Sequence, residues 1–370
     1  FMPQSDVYLG NPNLKKANVA TNFTPEEVQE YIKCSEDPVY FIKTYIKIVS
    51  LDKGLIPFDM YHFQEEMVEK FHDNRFNIVL ACRQSGKSIS SVVFLLWYAC
   101  FHPEKTIAIL ANKGAVAREM LARITLALEN LPFFLQPGCK ALNKGSVEFS
   151  NNSKIIASAT SGNSIRGLSI NLLFLDEFAF VENDAQFYTS TYPVVTAGKD
   201  TQIIICSTAN GIGNVYHKLW EGATQGVNEF KPFRVDWWDV PGRNKTWKKQ
   251  TIANTSELQF EQEFGNTFHG RGNTLINANT LLAQQSRDPE FYKENTYIYE
   301  QPKEGHEYVM TVDVSKGKAQ DYSTFNIIDV SEKPFEQVCV FRDNNISPML
   351  LPDIIYKYAK TYNDAYVIIE

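Results

Sequence analysis

A chain of 370 residues that is 44% apolar and 13% aromatic can bury a sizeable core, and its length fits two or more globular domains. The formal net charge of -7 excludes a broad basic footprint, so any contact with nucleic acid must come from a local patch or a transient grip. The six cysteines form no C-x-x-C pair and fall mostly in apolar segments, which argues against a zinc site and fits buried, reduced thiols of a cytosolic protein.

The first fifty or so residues read as helical and amphipathic with little legible chemistry, an N-terminal segment over 1–60; Phe1, ahead of Met2, reads as an added residue. From residue 76 strands and helices alternate: "FNIVLAC", then "SISSVVFLLWYACF", then "TIAILAN", then "GAVAREMLARITLALENLP". This is the rhythm of a parallel sheet wrapped by helices. The longest apolar run, "ISSVVFLLWYACF", is too short to span a bilayer. In the last helix Val116, Met120, Leu121, Ile124 and Leu128 recur at helical spacing and predict one buried face. "SVEFSNNSKIIASAT" predicts a hairpin around Asn-Asn, and "NLLFLDE" and "TQIIICST" predict strands buried on both faces. The α/β core is expected over 61–232, with a helical subdomain over 233–290 and a Pro-, Glu- and Lys-containing linker over 291–305. A second domain over 306–370 opens with "EYVMTVDVSKGKAQDYSTFNIIDV", two strands around a Gly-containing turn, and ends on a strand in "AYVIIE".

Between the first strand and helix lies "ACRQSGKS", a phosphate-binding loop whose usual first Gly is Ala81. None of the loop's chemical roles belongs to that position. Backbone N–H groups from Gln84 and Ser85 onward and the helix N-terminus would cradle phosphates. Gly86 allows close approach, Lys87 reaches the β/γ phosphates and Ser88 offers a hydroxyl to magnesium. A chance Gly-Lys-Ser is the bland alternative, and "LLFLDEFAF" weighs against it: at the end of an apolar strand, Asp176 can hold magnesium and Glu177 can polarise water.

Lys87 and Ser88, the pair Asp176–Glu177 and the strand "IIICST" resemble the additional-strand catalytic glutamate class of P-loop ATPases. With Arg83 inside the loop, the "FLDEFAF" box, Cys206-Ser207-Thr208 followed by "ANG", and the upstream "MYHFQEEM", the chain resembles the large terminase subunits of T-even-type tailed bacteriophages. That resemblance implies an ATP-driven motor that moves double-stranded DNA into a preformed procapsid, with the portal ring and the small terminase subunit as partners. It implies an oligomeric ring on the portal, a place in the host cytoplasm and transiently at the portal vertex but not in the mature virion, and no membrane. It further implies that Gln64 reads adenine, that Arg83 touches the γ-phosphate as an arginine finger, and that Cys206, Ser207 and Thr208 form a coupling turn; Arg166 in "NSIRGLS" is a further candidate on the phosphate side.

"RNKTWKKQ", Arg243 to Gln250, follows Trp237 and Trp238 and could grip nucleic acid, although aromatics at this density more often build a core. In the second domain Asp313 and Glu370 stand at strand ends, with Asp321 after a turn, and carboxylates on adjacent strands can hold a magnesium or manganese pair. The pattern resembles the first part of the terminase nuclease, an RNase H-like fold, which in the family continues past the position of Glu370 and supplies another catalytic Asp. The nuclease is therefore expected to be incomplete and inactive in this chain. Two rival readings stay open: a helicase-like DNA translocase, which would need a second motor lobe after Trp220, and a non-catalytic nucleotide-binding scaffold, which would have no need of Glu177.

Overall fold

Capping chemistry sets where the chain first becomes helical. The computed structural model describes residues 6–50, 52–160, 165, 167–196, 198–268, 287–315 and 321–370. A ribbon of β1 (Val7–Tyr8) and β2 (Asn11–Lys15) precedes α1 (Pro25–Glu36) and α2 (Pro38–Tyr45). Thr24 closes a capping box with Glu27 on α1, and Asp37 caps α2; Pro follows each cap, where no N–H is needed. A second ribbon, β3 (Lys47–Ser50) with β4 (Gly54–Pro57), follows. The N-terminal segment is thus not helical throughout. Its strands are only two to five residues long, too short for a period-two apolar pattern to announce them.

Next come α3 (His62–Asp73), β5 (Phe76–Ala81), α4 (Lys87–Phe101), β6 (Thr106–Ala111), α5 (Gly114–Glu129), β7 (Cys139–Leu142), β8 (Ser146–Phe149), β9 (Lys154–Ala159), β10 (Leu172–Asp176), α6 (Asp184–Thr196), β11 (Gln202–Ser207), α7 (Val215–Thr224) and β12 (Lys231–Val235). The strands form one sheet in the order β12-β5-β11-β10-β6-β9-β8-β7. Pairing is parallel from β12 to β9, and β8 and β7 join by antiparallel pairing. Successive strand residues point to opposite faces. Val79, Ile109, Phe174 and Ile204 pack with α3, α4 and α5, while Ile78, Leu110, Leu175 and Ile205 pack with residues of α6 and α7. On α5 the buried face runs through Ala117, Met120, Leu121, Ile124 and Leu128; Val116, expected there, is exposed and Ala117 takes its place. The helices α8 (Lys245–Asn254) and α9 (Glu257–Glu263) complete the described part of the first compact unit, Phe1–Ala278.

The second unit, Asn279–Glu370, holds β13 (Phe291–Lys293), β14 (Thr296–Ile298), β15 (Tyr308–Asp313), β16 (Ser323–Asp329), β17 (Glu336–Asp343), α10 (Leu351–Thr361) and β18 (Tyr366–Ile369). Its sheet runs β13-β14-β17-β16-β15-β18, antiparallel except for the parallel pair β15 and β18. Leu351, Ile355 and Tyr358 of α10 pack with Met310, Val312, Phe325 and Phe341. Residues 291–305, read above as a linker, carry the edge hairpin of β13 and β14. Every residue of β13 is exposed, and composition does not distinguish such a strand from a linker.

Phe174, fully buried in β10, supports the helical face of the first sheet. Phe174→Ala is expected to destabilise the first unit by about 3–5 kcal/mol, read as a lowered urea midpoint of its unfolding transition.

Candidate functional site

The strand β5 ends at Ala81, wholly buried in the core, so the residue that breaks the usual loop pattern is a packed strand end. Gln84 (φ 58°) and Gly86 (φ 82°) are left-handed and turn the chain so that α4 begins at Lys87. The backbone N–H groups of Gln84, Ser85 and Gly86 donate to no acceptor among the described residues, which leaves three donors beside a helix N-terminus. The Ser85 hydroxyl is buried and likewise without a partner among the described residues. Gln64 braces this loop from α3. Its Nε2 donates to the Ser85 carbonyl at 3.0 Å, and its Oε1 accepts the Tyr61 N–H at 2.9 Å. A Cβ at position 86 would run into Gln64 Nε2.

Because β11 lies between β5 and β10, with Cys206 in register with both Val79 and Asp176, the three strands deliver their C-terminal ends side by side. Lys87 Nζ, only 6% exposed, lies 2.9 Å from Glu177 Oε1. The other carboxylate oxygen, Oε2, accepts from the Ser207 hydroxyl at 3.3 Å, the Thr208 N–H at 3.2 Å and the Thr208 hydroxyl at 3.5 Å. Ser207 Oγ also accepts the Ala179 N–H at 3.2 Å. The turn after β11 is therefore tied to the turn after β10. Cys206 is buried with its Sγ 3.6 Å from Ser91 Oγ of α4, and the Tyr216 hydroxyl donates to the Val79 carbonyl at 2.7 Å.

Ser88 donates its hydroxyl to Asp176 Oδ1 at 3.4 Å. Burial and the neighbouring Glu177 charge push the Asp176 carboxyl up to about 7, against the pull of Lys87 and Ser88. At Glu177 burial also acts upward, but the Lys87 ammonium and the hydrogen bonds from Lys87, Thr208 and Ser207 together leave its carboxyl below the ordinary value. The Glu177 backbone is left-handed (φ 49°, ψ 45°), a conformation that costs a non-Gly residue about 1–3 kcal/mol and is held here by these contacts.

Arg83 pairs with Glu263 of α9 at 3.0 Å. The Arg83 and Gln84 carbonyls are held by Arg243, whose place in the basic stretch gives no sign of a partner 160 residues away. Arg166 lies outside the described residues. In the "RNKTWKKQ" stretch Trp247 stacks on Trp237 and meets Phe260 and Phe264 edge-on, so these aromatics form a local cluster. Trp238, Lys245 and Lys249 are exposed.

In the second unit Val312 pairs with Ile369 and the Glu370 N–H donates to the Val312 carbonyl at 3.0 Å, which sets exposed Asp313 and Glu370 at the same end of two paired strands. Asp321 is exposed; its carbonyl accepts the Ser315 hydroxyl and its carboxylate accepts the Tyr322 N–H. Among the described residues no group of three or more His, Cys, Asp or Glu side chains is placed to hold a metal. Among the described residues no helix is long and apolar enough to cross a membrane.

Comparison with known proteins agrees with this geometry. Residues 78–282 match the family model "Terminase large subunit, T4likevirus-type, N-terminal", and residues 310–370 match "Terminase RNaseH-like domain". The chain is 24% identical over 224 residues to the terminase large subunit of Thermus virus P23-45, covering 57% of this chain and 44% of that protein. A terminase large subunit of Thermus phage G20c is 23% identical over the same length, with the same coverage. The aligned stretch spans less than half of these relatives. The crystal structure of the HK97 bacteriophage large terminase is similar with a TM-score of 0.58 at 14% identity, over 91% of this chain and 74% of that one. The fold is that of an α/β P-loop ATPase with a largely parallel core sheet, followed by an RNase H-like part.

At Gly86 the left-handed backbone disfavours a side chain, and a Cβ there would displace the Gln64 amide. Gly86→Ala is expected to weaken ATP binding at least about tenfold while the chain still folds, because the strained loop and displaced Gln64 misplace the phosphate cradle. Titration of a fluorescent ATP analogue, with circular dichroism as the folding control, checks it.

Proposed function

The chain belongs to the T4likevirus-type terminase large subunits, and from that premise we propose that it is the ATP-hydrolysing subunit of a motor that drives double-stranded DNA into a procapsid. The observation that supports this most directly is the Lys87–Glu177 pair across β11 with Ser88 and Asp176 beside it. A scaffold that only binds nucleotide needs no carboxylate fixed on a coupling turn.

The residues present fit a nucleotide with a divalent cation. Ser85 offers a buried hydroxyl without a partner among the described residues, and Ser88 with Asp176 offers the oxygen donors that a hard cation prefers. Magnesium held there by Ser88 and Asp176 would neutralise charge on the β- and γ-phosphate oxygens. The free N–H groups of Gln84, Ser85 and Gly86 and the start of α4 bind phosphate oxygens. Lys87 exchanges Glu177 Oε1 for the β/γ phosphates. Glu177, still held at Oε2 by Ser207 and Thr208, then has Oε1 free to orient the attacking water and take its proton. Arg83 supplies positive charge to the γ-phosphate during transfer. Gln64, which braces the loop, stands next to the nucleotide and contributes to adenine recognition.

Coupling follows from the same hydrogen bonds. Ser207 and Thr208, which follow Cys206 at the end of β11, bond Glu177 in the turn after β10, so a change in what Glu177 faces is transmitted to β11 and onward to DNA movement. We propose that this motor, whose core over 61–232 is followed by the helices α8 and α9, acts as a ring on the portal with the small terminase subunit, in the host cytoplasm and transiently at the portal vertex. Asp313 and Glu370, with Asp321, would hold magnesium or manganese for cleavage of concatemeric DNA.

Lys87→Ala is expected to abolish ATP hydrolysis and weaken nucleotide binding at least about tenfold. Glu177→Gln keeps Mg-ATP binding within about twofold and lowers kcat by about 10²–10⁴. Steady-state phosphate release and equilibrium binding check both, and a Glu177→Gln protein that turns over at the parental rate would refute the assignment. Thr208→Ala is expected to leave binding nearly intact while DNA packaged per ATP falls, measured in a packaging assay with procapsids.

A further inference from the structure

Two residues of the 243–263 segment hold the phosphate loop by contacts that the ATPase reading does not use. Arg243 Nη2 donates to the carbonyls of Arg83 at 3.0 Å and Gln84 at 3.2 Å, and its Nη1 lies 3.4 Å from Cys82 Sγ. The loop's own donors on this side are also taken: Cys82 N–H by the Val235 carbonyl at 3.0 Å and Arg83 N–H by the Glu263 carbonyl at 2.8 Å. Arg243 is itself seated over Trp247 at 4.8 Å and Phe264 at 5.3 Å. A planar guanidinium can stack on those rings and reach three acceptors at once; an ammonium cannot. In a trans peptide the carbonyl of one residue and the N–H of the next point in opposite directions. Holding the Arg83 and Gln84 carbonyls therefore aims the Gln84 and Ser85 N–H groups away from Arg243, and those N–H groups have no acceptor among the described residues.

The second contact is the Arg83–Glu263 ion pair, in which the Arg83 side chain is 64% exposed and that of Glu263 20%. A pair this open to water contributes little, about 0.2–1 kcal/mol, so a multiply charged phosphate can displace it. We propose that Arg243 is a positioning residue that displays the loop's N–H groups to phosphate, and that Glu263 is the resting partner of Arg83, which it gives up only to a γ-phosphate. The proposal rests on the ATPase reading and adds to it a basis for telling ATP from ADP.

The test measures equilibrium affinities for ADP and ATPγS, together with KM and kcat, in Arg243→Lys, Glu263→Gln and Glu263→Gln/Arg83→Ala, with thermal melting as the folding control. Glu263→Gln is expected to tighten ATPγS about two- to fivefold and leave ADP unchanged, and the gain should vanish when Arg83 is Ala. Arg243→Lys is expected to weaken both nucleotides and raise KM about tenfold, with kcat reduced less than KM is raised. Equal shifts of ADP and ATPγS in Glu263→Gln, or a gain that persists without Arg83, would overturn the role of Glu263. An Arg243→Lys protein that melts earlier yet keeps parental KM would reduce Arg243 to a packing residue. A parental chain that binds nucleotide no better than Lys87→Ala would instead bring down the ATPase reading itself.

Discussion

The ion pair between Lys87 and Glu177 is the constraint around which the first unit is arranged. A buried ammonium left alone would cost several kcal/mol, so the start of α4 and the end of β10 must meet although β11 stands between their strands. That is possible because the three strands run parallel and end within two residues of one another. The register of Val79, Cys206 and Asp176 sets this, and the Tyr216 hydroxyl braces it at the Val79 carbonyl. Glu177, which reaches back to Lys87, has a left-handed backbone, and hydrogen bonds from Ser207 and Thr208 hold its carboxylate. Chemistry, strand order and local strain are thus one arrangement.

How much of this could be read from the residues depended on sequence separation. The central strands are continuous apolar runs, and the loop between β5 and α4 and the Asp176–Glu177 pair each sit at a strand end where local pattern picks them out, whereas the 206–208 turn is picked out by family resemblance. Side chains that complete the site from afar had no such signal: Arg243 and Glu263 lie 160 and 180 residues from their partners in the loop, and Tyr216 lies 137 from Val79. Misreadings fell where strands are short. The ribbons β1–β2 and β3–β4 and the hairpin β13–β14 have strands of two to five residues, too few for a periodicity to be detected, and β13 has no buried residue at all. On α5, Val116 fits the apolar spacing yet faces water, while the less apolar Ala117 fits under the sheet.

The "RNKTWKKQ" stretch illustrates how composition can be right about chemistry and silent about direction. Its one tryptophan, Trp247, does stand among basic side chains. The Trp237–Trp247–Phe260 cluster positions Arg243 on the phosphate loop, and Lys248 pairs with Glu261, which leaves Lys245, Lys249 and Trp238 as the solvent-facing remainder. A stretch that looks like a polyanion grip is in part the rear wall of the loop between β5 and α4.

All six cysteines are buried, and burial pushes the thiols of Cys34 and Cys339 up to about 12 and that of Cys139 to about 11. Cys82, at the head of the phosphate loop, is likewise raised despite the Arg243 guanidinium beside it. Thiolate is the reactive form, so the folded chain offers electrophiles and oxidants almost nothing to attack. A single cysteine introduced at an exposed position such as Trp238 would therefore carry a spectroscopic label alone, without removal of the native six, and could follow the 237–263 segment through a turnover cycle.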